Sequence, residues 1–262
     1  MLSSSTIRMS NQTISTGGVF FQNLPQDLIL GDDAAQRRLF REYGSVFVAR
    51  GGVLAPNKVV FADEEDVAQF QSRLEIAQCQ IGEFLLELQS RAMDGLQRAI
   101  VSARNEGLSI TPRGADSARR NYSDTIELWQ SRVGPALAHW VEKERMTQEH
   151  ADAIRELPPS EQIPEVFELE EEGIYFAKDL SKSIIYSVAP PGASQHLSLL
   201  AFDVAEFDNE RVRELLAKHY WYQTVISDLP HFTFLGVEES ELAGLGLRLV
   251  ENSGRNFWLP DV

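Results

Sequence analysis

Two apolar segments of this chain carry polar groups that are costly to bury, and they constrain the fold more than any other feature. Residues 194–203 (SQHLSLLAFD) contain His196 and Asp203, and residues 228–232 (DLPHF) contain Asp228 and His231. A carboxylate inside an apolar run needs a partner when it is buried. A metal ion or a tight set of hydrogen bonds would supply one, so the fold must bring such a partner to Asp203.

The four side chains match the ligand chemistry of a zinc site. Two neutral imidazole nitrogens and one carboxylate oxygen form a three-ligand set with a fourth position open to water. His196, Asp203 and His231 supply that set, and Asp228 is placed to take a proton from the water. The alternative is a loop histidine, a strand-end aspartate and a satisfied core histidine, without a metal. The other histidines, at positions 139, 150 and 219, lie on helical patterns and are interpreted as structural or surface residues.

The spacing of the first pair predicts a turn. His196 and Asp203 are seven residues apart, and side chains an odd number apart on one strand face opposite ways. We therefore expect a turn or loop around residues 197–199, with Asp203 on the strand that follows.

Length and charge exclude several classes of function. A chain of 262 residues forms one large domain or two small ones and can bury a sizeable core. Its net charge of -15 argues against nucleic acid and anionic membrane surfaces as partners.

Cys79 is the single cysteine, which excludes an internal disulfide, and no apolar run is long enough for a membrane span. No secretory signal is visible in residues 1–18, and neither the compartment nor the oligomeric state is indicated.

The first half of the chain predicts an arm, a hairpin and a long helical region. Residues 1–18 are polar and are predicted to be a disordered arm. Residues 32–33 precede a short helical pattern, and residues 45–49 and 58–61 suggest two strands of a hairpin. From Asp63 to Gly107 we expect one long helix, or two with a break near Gly95. The apolar positions at helical spacing are Ile81, Phe84, Leu85, Leu88, Leu96, Ala99, Ile100 and Ala103.

The second half of the chain is predicted to contain helices and several short strands. Helices are expected over residues 121–157, 165–172 and 209–218, and a polar loop over 112–120. A rigid turn is expected at residues 190–192. Strands are predicted over residues 108–111, 184–188, 200–204, 221–226 and 232–235, with a last hairpin from 245–250 and 256–259.

Residues 191–203 resemble a known signature. The run from Ser194 to Asp203 is similar to the S-x-H-x-x-G-x-A-x-D motif of the zinc D-Ala-D-Ala carboxypeptidases. Residues 191–193 (Pro-Gly-Ala) match the P-G-x sequence that usually precedes this motif. Residues 227–232 take the place of the E-P-W-H-F motif, and Trp221 resembles the aromatic run that often precedes it. That group includes vancomycin-resistance D,D-peptidases and L-Ala-D-Glu endopeptidases, and it shares a fold with the hedgehog signalling domain.

An arginine segment upstream also resembles the family. The order of helix, glycine, short strand and S-G-x-R-S-x-x-x-x-Q segment is similar to residues 96–125. Arg120 aligns best with the family arginine in this order of elements. Arg113 and Arg119 remain alternatives.

The resemblance implies a role for each matching residue. His196, Asp203 and His231 would bind zinc, and Asp228 would stand for the catalytic glutamate, deprotonating the zinc water and protonating the leaving amine. Arg120 would bind the scissile carbonyl and the developing oxyanion. Ser194 would hydrogen-bond the substrate. Leu199 replaces the motif glycine, so we expect a different local backbone path, and Asp228 is one methylene shorter than glutamate.

The resulting prediction is an α+β chain in which a small antiparallel sheet carries the zinc site and helices pack on one side, as in hedgehog and the D,D-peptidases. Residues 1–18 would form the arm, 19–90 an N-terminal extension packed on the core, and 91–262 the catalytic domain with an insertion at about 130–180.

The implied function is zinc-dependent hydrolysis of cell-wall peptides, with a muropeptide as partner and a periplasmic or extracellular location. The alternative is an inactive zinc domain that binds wall peptide or a protein partner. A structural zinc, or no metal, is a third possibility.

Overall fold

The computed structural model of the chain describes residues 18–31 and 33–262, so almost all of the predicted arm lies outside the described residues. The helices are α1 (Val19–Gln22), α2 (Ala34–Tyr43), α3 (Glu64–Gln71), α4 (Ser90–Asn105), α5 (Tyr122–Glu142), α6 (Gln148–Glu156), α7 (Pro159–Glu171), α8 (Glu210–Ala217) and α9 (Glu239–Leu242). The strands are β1 (Ile76–Ile81), β2 (Phe84–Gln89), β3 (Ala201–Asp203), β4 (Trp221–Tyr222), β5 (His231–Phe234), β6 (Leu247–Asn252) and β7 (Arg255–Pro260).

The strands form small antiparallel sheets, in the orders β1-β2, β3-β5-β4 and β6-β7. The coarse prediction of helices combined with small antiparallel sheets is therefore confirmed. Every residue of β3 and β5 is buried, which places the middle sheet inside the core. Its register pairs Asp203 directly with His231, so two of the predicted site residues are cross-strand neighbours.

Helices begin where the sequence places capping residues. The side chain of Asp33 accepts a hydrogen bond from the backbone N–H of Gln36 at the start of α2, and Asn121 forms a capping box at the start of α5. The predicted helices of the second half are confirmed as α5 to α8. The last hairpin is confirmed as β6-β7.

The predicted long helix between Asp63 and Gly107 is wrong. Helix α3 is followed by the hairpin β1-β2, and only then by α4. Ile81 and Phe84 pair across a two-residue turn in which Gly82 has a φ of 61°. In β2 the buried residues Leu86 and Leu88 alternate with outward-facing ones, so the spacing of 81, 84, 85 and 88 fitted a helix only by coincidence.

Gly95 does not break the helical region but lies inside α4. A Cβ atom there would be 2.8 Å from the Phe234 ring and 2.9 Å from the carbonyl oxygen of His219. The absence of a side chain lets α4 approach the middle sheet closely. That contact covers the face of the sheet that carries Trp221 and Phe234.

Other predicted strands are wrong as well. Residues Gly44–Val48 form a fully buried 3-10 helix, and Ile184–Tyr186 form another 3-10 helix. Lys58 makes only an isolated bridge, parallel to Ile29, so the predicted hairpin of 45–49 with 58–61 does not form. Residues 108–111 form no strand, and Pro112 makes an isolated bridge to Val204. Short apolar runs indicate burial without deciding between a strand and another buried conformation.

The segments on either side of residue 90 share one hydrophobic core. Phe20, Phe40 and Phe47 belong to the same buried cluster as Trp129 of α5 and Phe202 of β3. Ser45 also donates a hydrogen bond of 2.8 Å to the carbonyl oxygen of Trp258 on β7. None of the described helices combines the length and apolar character that crossing a membrane requires.

Candidate metal centre

A tight turn brings His196 and Asp203 to the same side of the backbone. Residues Gln195–Ser198 form a 3-10 helix, Leu199 follows with a φ of 57° and a ψ of 30°, and β3 then begins at Ala201. The predicted turn around 197–199 is therefore confirmed. The expectation that Leu199 changes the local path is wrong in one respect, because this leucine itself adopts the left-handed conformation that favours glycine.

Leu199 is fully buried in this conformation. A left-handed backbone costs a residue with a side chain about 1–2 kcal/mol. Burial of the leucine side chain contributes a similar or larger stabilisation of about 1.5–3 kcal/mol. Packing therefore offsets the strain, and the turn is kept without a glycine.

The three side chains meet at one carboxylate oxygen. Asp203 Oδ1 lies 3.3 Å from His196 Nε2 and 3.2 Å from His231 Nδ1. The two imidazole rings are 5.0 Å apart, at an angle of 73°. One ligand atom from each residue lies within 4.8 Å of the others, and all three residues are buried. The structure thus brings together the predicted metal ligands in a group that could hold a metal ion.

Each histidine is oriented by a hydrogen bond on its outer nitrogen. His196 Nδ1 lies 2.7 Å from the carbonyl oxygen of Ala118, and His231 Nε2 lies 2.9 Å from Oε1 of Gln195. A backbone carbonyl oxygen and an amide oxygen can only accept hydrogen bonds, so the outer nitrogens carry the N–H groups. The inner nitrogens, Nε2 of His196 and Nδ1 of His231, then present lone pairs to the centre. Metal-bound histidines in proteins are held in this way.

The surroundings of the inner nitrogen of His196 indicate whether a metal ion fits the site. It is buried and has no hydrogen-bond partner in the described part of the chain, although Asp203 Oδ1 is close by. A buried unpaired nitrogen is costly, and so is a lone pair that faces a carboxylate. A cation between the three ligand atoms would satisfy all of them. The donor set therefore fits a metal ion.

Charge at the centre favours neutral histidine and ionised aspartate. Burial, followed by the nearby charge of Arg120, lowers the pKa of His196. Burial by itself would raise the pKa of Asp203, but positive charge and N–H groups on the neighbouring imidazoles, His196 foremost, hold it well below its usual value. Positive charge at the centre thus keeps Asp203 ionised. A metal ion bound there would supply that charge with both rings neutral, and these are the protonation states in which the residues bind metals.

The loop before α5 completes the site from the other edge of β3. The backbone N–H of Asp203 donates to the carbonyl oxygen of Ser117 at 2.8 Å, and Ala205 donates to Thr111 at 2.9 Å. The loop thus follows β3 and places the Ala118 carbonyl on His196. It also brings Arg120, whose Nη2 donates to Asp203 Oδ2 at 2.7 Å.

The three candidate arginines differ in what they contact and in whether they line the cleft. Arg120 contacts Asp203 and lies 3.6 Å from a carboxylate oxygen of Asp116. Arg119 pairs with Glu87 on β2 and does not line the cleft. Arg113 lines the cleft and makes no ion pair within the described ranges. Arg120 is thus the arginine nearest the ligands, but its guanidinium rests on a carboxylate.

Asp228 and Ser194 line the cleft that opens above the ligands, which has a volume of about 230 Å³. Asp228 lies three residues before His231 on the turn that leads into β5, where its carbonyl oxygen accepts from the His231 backbone N–H at 3.2 Å. The residue is exposed to solvent. Partial desolvation of its carboxyl group by neighbouring protein, and then the charge of Asp203, raise its pKa. A raised pKa suits a proton acceptor that works nearer neutral pH.

Several cleft residues were not predicted. Tyr43, Arg132, Ser187 and Ser227 line it from segments far apart in sequence. Gln195 directly precedes His196, and this position was the only sequence signal for its role. The remaining histidines lie elsewhere, His150 beside the half-buried Glu165 and His219 beside Ser102.

Comparisons of the chain with protein-family models, with curated proteins and with solved structures gave no match.

Proposed function

We propose that this protein is a zinc-dependent peptidase that cleaves a peptide bond in cell-wall-type peptides. The observation that carries the proposal is the buried cluster of His196, Asp203 and His231, with an unpartnered ligand nitrogen at the base of an open cleft. Two histidines and one carboxylate are typical ligands of catalytic zinc. The similarity of residues 194–203 and 227–232 to the D-Ala-D-Ala carboxypeptidase motifs, and a hedgehog-type fold, belong to the same proposal.

The ligand residues would hold the ion through Nε2 of His196, Nδ1 of His231 and Oδ1 of Asp203. A zinc ion bound there would act as a Lewis acid toward water and the scissile carbonyl. Ala118 and Gln195 keep the two rings in the tautomers that this requires. Arg120 holds the second oxygen of Asp203, which leaves the first oxygen for the metal.

Asp228 would carry the proton transfers. Its carboxylate would accept a proton from the attacking water and return it to the leaving amine. Both steps need a carboxyl group that is ionised at rest and has a pKa not far below the working pH. The raised pKa of Asp228 and its position in the cleft support this role.

Arg120 and Ser194 would bind the substrate. Ser194 is buried at the base of the cleft, beside the metal ligands. For Arg120 to stabilise the oxyanion, its remaining N–H groups would have to reach the substrate while Nη2 stays on Asp203. A D-amino acid near the scissile bond is proposed from the motif similarity alone.

The first test is metal content, measured by mass spectrometry on the purified protein and on His196→Ala and His231→Ala. We expect close to one zinc per chain, lost in both variants. His150→Ala is the matched control and should keep the metal. Failure of the wild-type protein to take up zinc when it is supplied would overturn the proposal.

The second test is hydrolysis of D-Ala-terminated and L-Ala-D-Glu peptides by the zinc-loaded protein. We expect turnover that Asp228→Ala abolishes without loss of zinc.

The engagement of Arg120 by Asp203 and Asp116 favours one alternative, a zinc domain that binds wall peptide or a protein partner without cleaving it. Such a domain would bind the same peptides, would not turn them over, and would keep its affinity in Asp228→Ala. A structural zinc would instead need four protein ligands. The described part of the chain offers three.

A further inference from the structure

The cleft contains guanidinium groups that pair with no carboxylate of the described residues. Arg113, Arg120 and Arg132 line it. Arg120 is held by Asp203 and Asp116. Arg113 and Arg132 form no ion pair within residues 18–31 and 33–262, although the sequence has 39 acidic and 24 basic residues. Both are therefore available to a negatively charged ligand.

Arg132 is held in position by hydrogen bonds that leave one of its terminal nitrogens free. It is half-buried on α5, and its Nε donates to Ser187 Oγ at 3.2 Å. Its Nη1 donates to Ser131 Oγ at 2.9 Å. Nη2 has no partner among the described residues. A guanidinium fixed in this way presents its remaining N–H groups with little further loss of conformational freedom.

Ser187 adds a second donor beside Arg132. Its Oγ already accepts hydrogen bonds from Arg132 Nε and, at 3.1 Å, from the backbone N–H of Lys178. The proton of this hydroxyl is therefore free to be donated. A guanidinium N–H and a hydroxyl O–H side by side match the acceptor oxygens of a carboxylate.

Arg113 supplies further positive charge to the same cleft. Its backbone N–H donates to the carbonyl oxygen of Asp203 at 3.3 Å, so the residue sits beside the metal-ligand strand. Its guanidinium lies 6.0 Å from the centre of the Phe207 ring and makes no hydrogen bond within the described ranges. The lining of the cleft therefore offers a ligand both of these cations.

We propose that Arg132, with Ser187 and the charge of Arg113, forms a carboxylate-binding subsite, and that the protein takes peptides with a carboxylate near the scissile bond. This inference rests on the proposed function, because it assigns the class of peptide that the same cleft accepts. The carboxylate is either the C-terminus of the peptide or the side chain of an acidic residue. Both present the same planar pair of oxygens to a guanidinium.

Calorimetric binding to zinc-loaded Asp228→Asn protein tests the subsite without requiring turnover. One peptide pair is acetyl-Lys-D-Ala-D-Ala with a free C-terminus and the same peptide as its carboxamide. The other pair is acetyl-Ala-D-Glu-amide and acetyl-Ala-D-Gln-amide. We expect a carboxylate in at least one pair to tighten binding about tenfold or more, as for other charge-assisted hydrogen bonds. The pair that responds identifies the source of the carboxylate.

Arg132 variants connect the preference to the subsite. Arg132→Gln in the same protein should reduce the carboxylate preference nearly to one, and Arg132→Lys should keep part of it. Arg155→Gln on α6 removes the same charge from a residue that does not line the cleft, and it should leave the preference intact. Thermal unfolding of each variant shows whether it is folded.

Three results would overturn the subsite. They are equal affinities within both peptide pairs, no binding of either carboxylate peptide, and equal effects of Arg132→Gln and Arg155→Gln. Turnover by the wild-type protein separates this from failure of the proposed function. Carboxylate-dependent binding without hydrolysis of any peptide would support the subsite and overturn the proposed peptidase activity. Equal hydrolysis of the carboxylate and carboxamide peptides would support the peptidase activity and overturn the subsite.

Discussion

Gln195 shows how a single residue decides what the centre can bind. Its Oε1 accepts from His231 Nε2, while its Nε2 donates to the carbonyl oxygen of Tyr43 at 2.9 Å. The amide therefore cannot rotate without losing one of these bonds. It fixes which nitrogen of His231 carries the proton and thus which nitrogen faces Asp203. Neither ring needs a charged partner on its outer side, because Ala118 and Gln195 offer neutral carbonyl oxygens.

Replacing Gln195 should weaken metal binding without removing a ligand. We expect Gln195→Met, which keeps the length of the side chain but loses both hydrogen bonds, to lower zinc affinity about 10- to 100-fold. Gln195→Glu keeps an acceptor for His231 and should lose much less. Competition with a chromophoric chelator measures both. Equal affinities for Gln195→Met and the wild-type protein would show that the residue does not orient the ligand.

The hairpin β1-β2 illustrates what a turn contributes at the scale of an element. It replaces the middle of the predicted long helix, and its two-residue turn depends on Gly82 with its positive φ. A Cβ atom at Gly82 would meet no other atom within 4 Å, so the constraint there is backbone conformation alone. Gly244, in the 3-10 helix Ala243–Leu245, has equally open surroundings but an ordinary φ.

The same substitution at these glycines should therefore have opposite effects. Gly82→Ala should lower the free energy of unfolding by about 1 kcal/mol, because a side chain is disfavoured at positive φ. Gly244→Ala should be neutral or stabilise by up to about 1 kcal/mol, because it restricts the unfolded chain. Urea denaturation of both variants measures the difference. Stabilisation by Gly82→Ala would contradict the hairpin and favour the helix predicted from spacing.

In the molecule as a whole, a buried carboxylate connects three segments. Glu170 of α7 accepts from Arg38 of α2 at 3.1 Å, from Ser183 Oγ at 2.6 Å and from the backbone N–H of Ile184 at 2.5 Å. Residues 185–189 continue from there along the cleft wall. Glu170 thus joins the N-terminal segment and α7 to the wall that carries Ser187.

Removing this carboxylate should destabilise the fold. We expect Glu170→Ala to lower the free energy of unfolding by about 2–3 kcal/mol, because Arg38 and the Ile184 N–H lose their partner. Asp152→Ala, which breaks an exposed pair with Arg155, should cost less than about 1 kcal/mol. Chemical denaturation compares the two. Equal costs would mean that Glu170 is not a structural junction.

Local features were predictable because their causes lie within a few residues. Asp33 and Asn121 accept hydrogen bonds from backbone groups a few residues away, so the starts of α2 and α5 were readable from the chain. The buried run around Asp203 likewise predicted β3. Residues 81–88 and Gly44–Val48 were assigned wrongly, since spacing and apolar content do not by themselves show which neighbour a segment packs against.

Residue type and spacing were enough to indicate which side chains could form a metal centre, because ligand chemistry depends on residue type and because His196, Asp203 and His231 stand in apolar segments. How these side chains meet follows from the fold. The β3-β5 register sets Asp203 against His231, and the loop before α5 selects Arg120 over Arg119 and places Ala118 on His196. These contacts join residues up to 83 positions apart. Their energies depend on packing that no local pattern encodes.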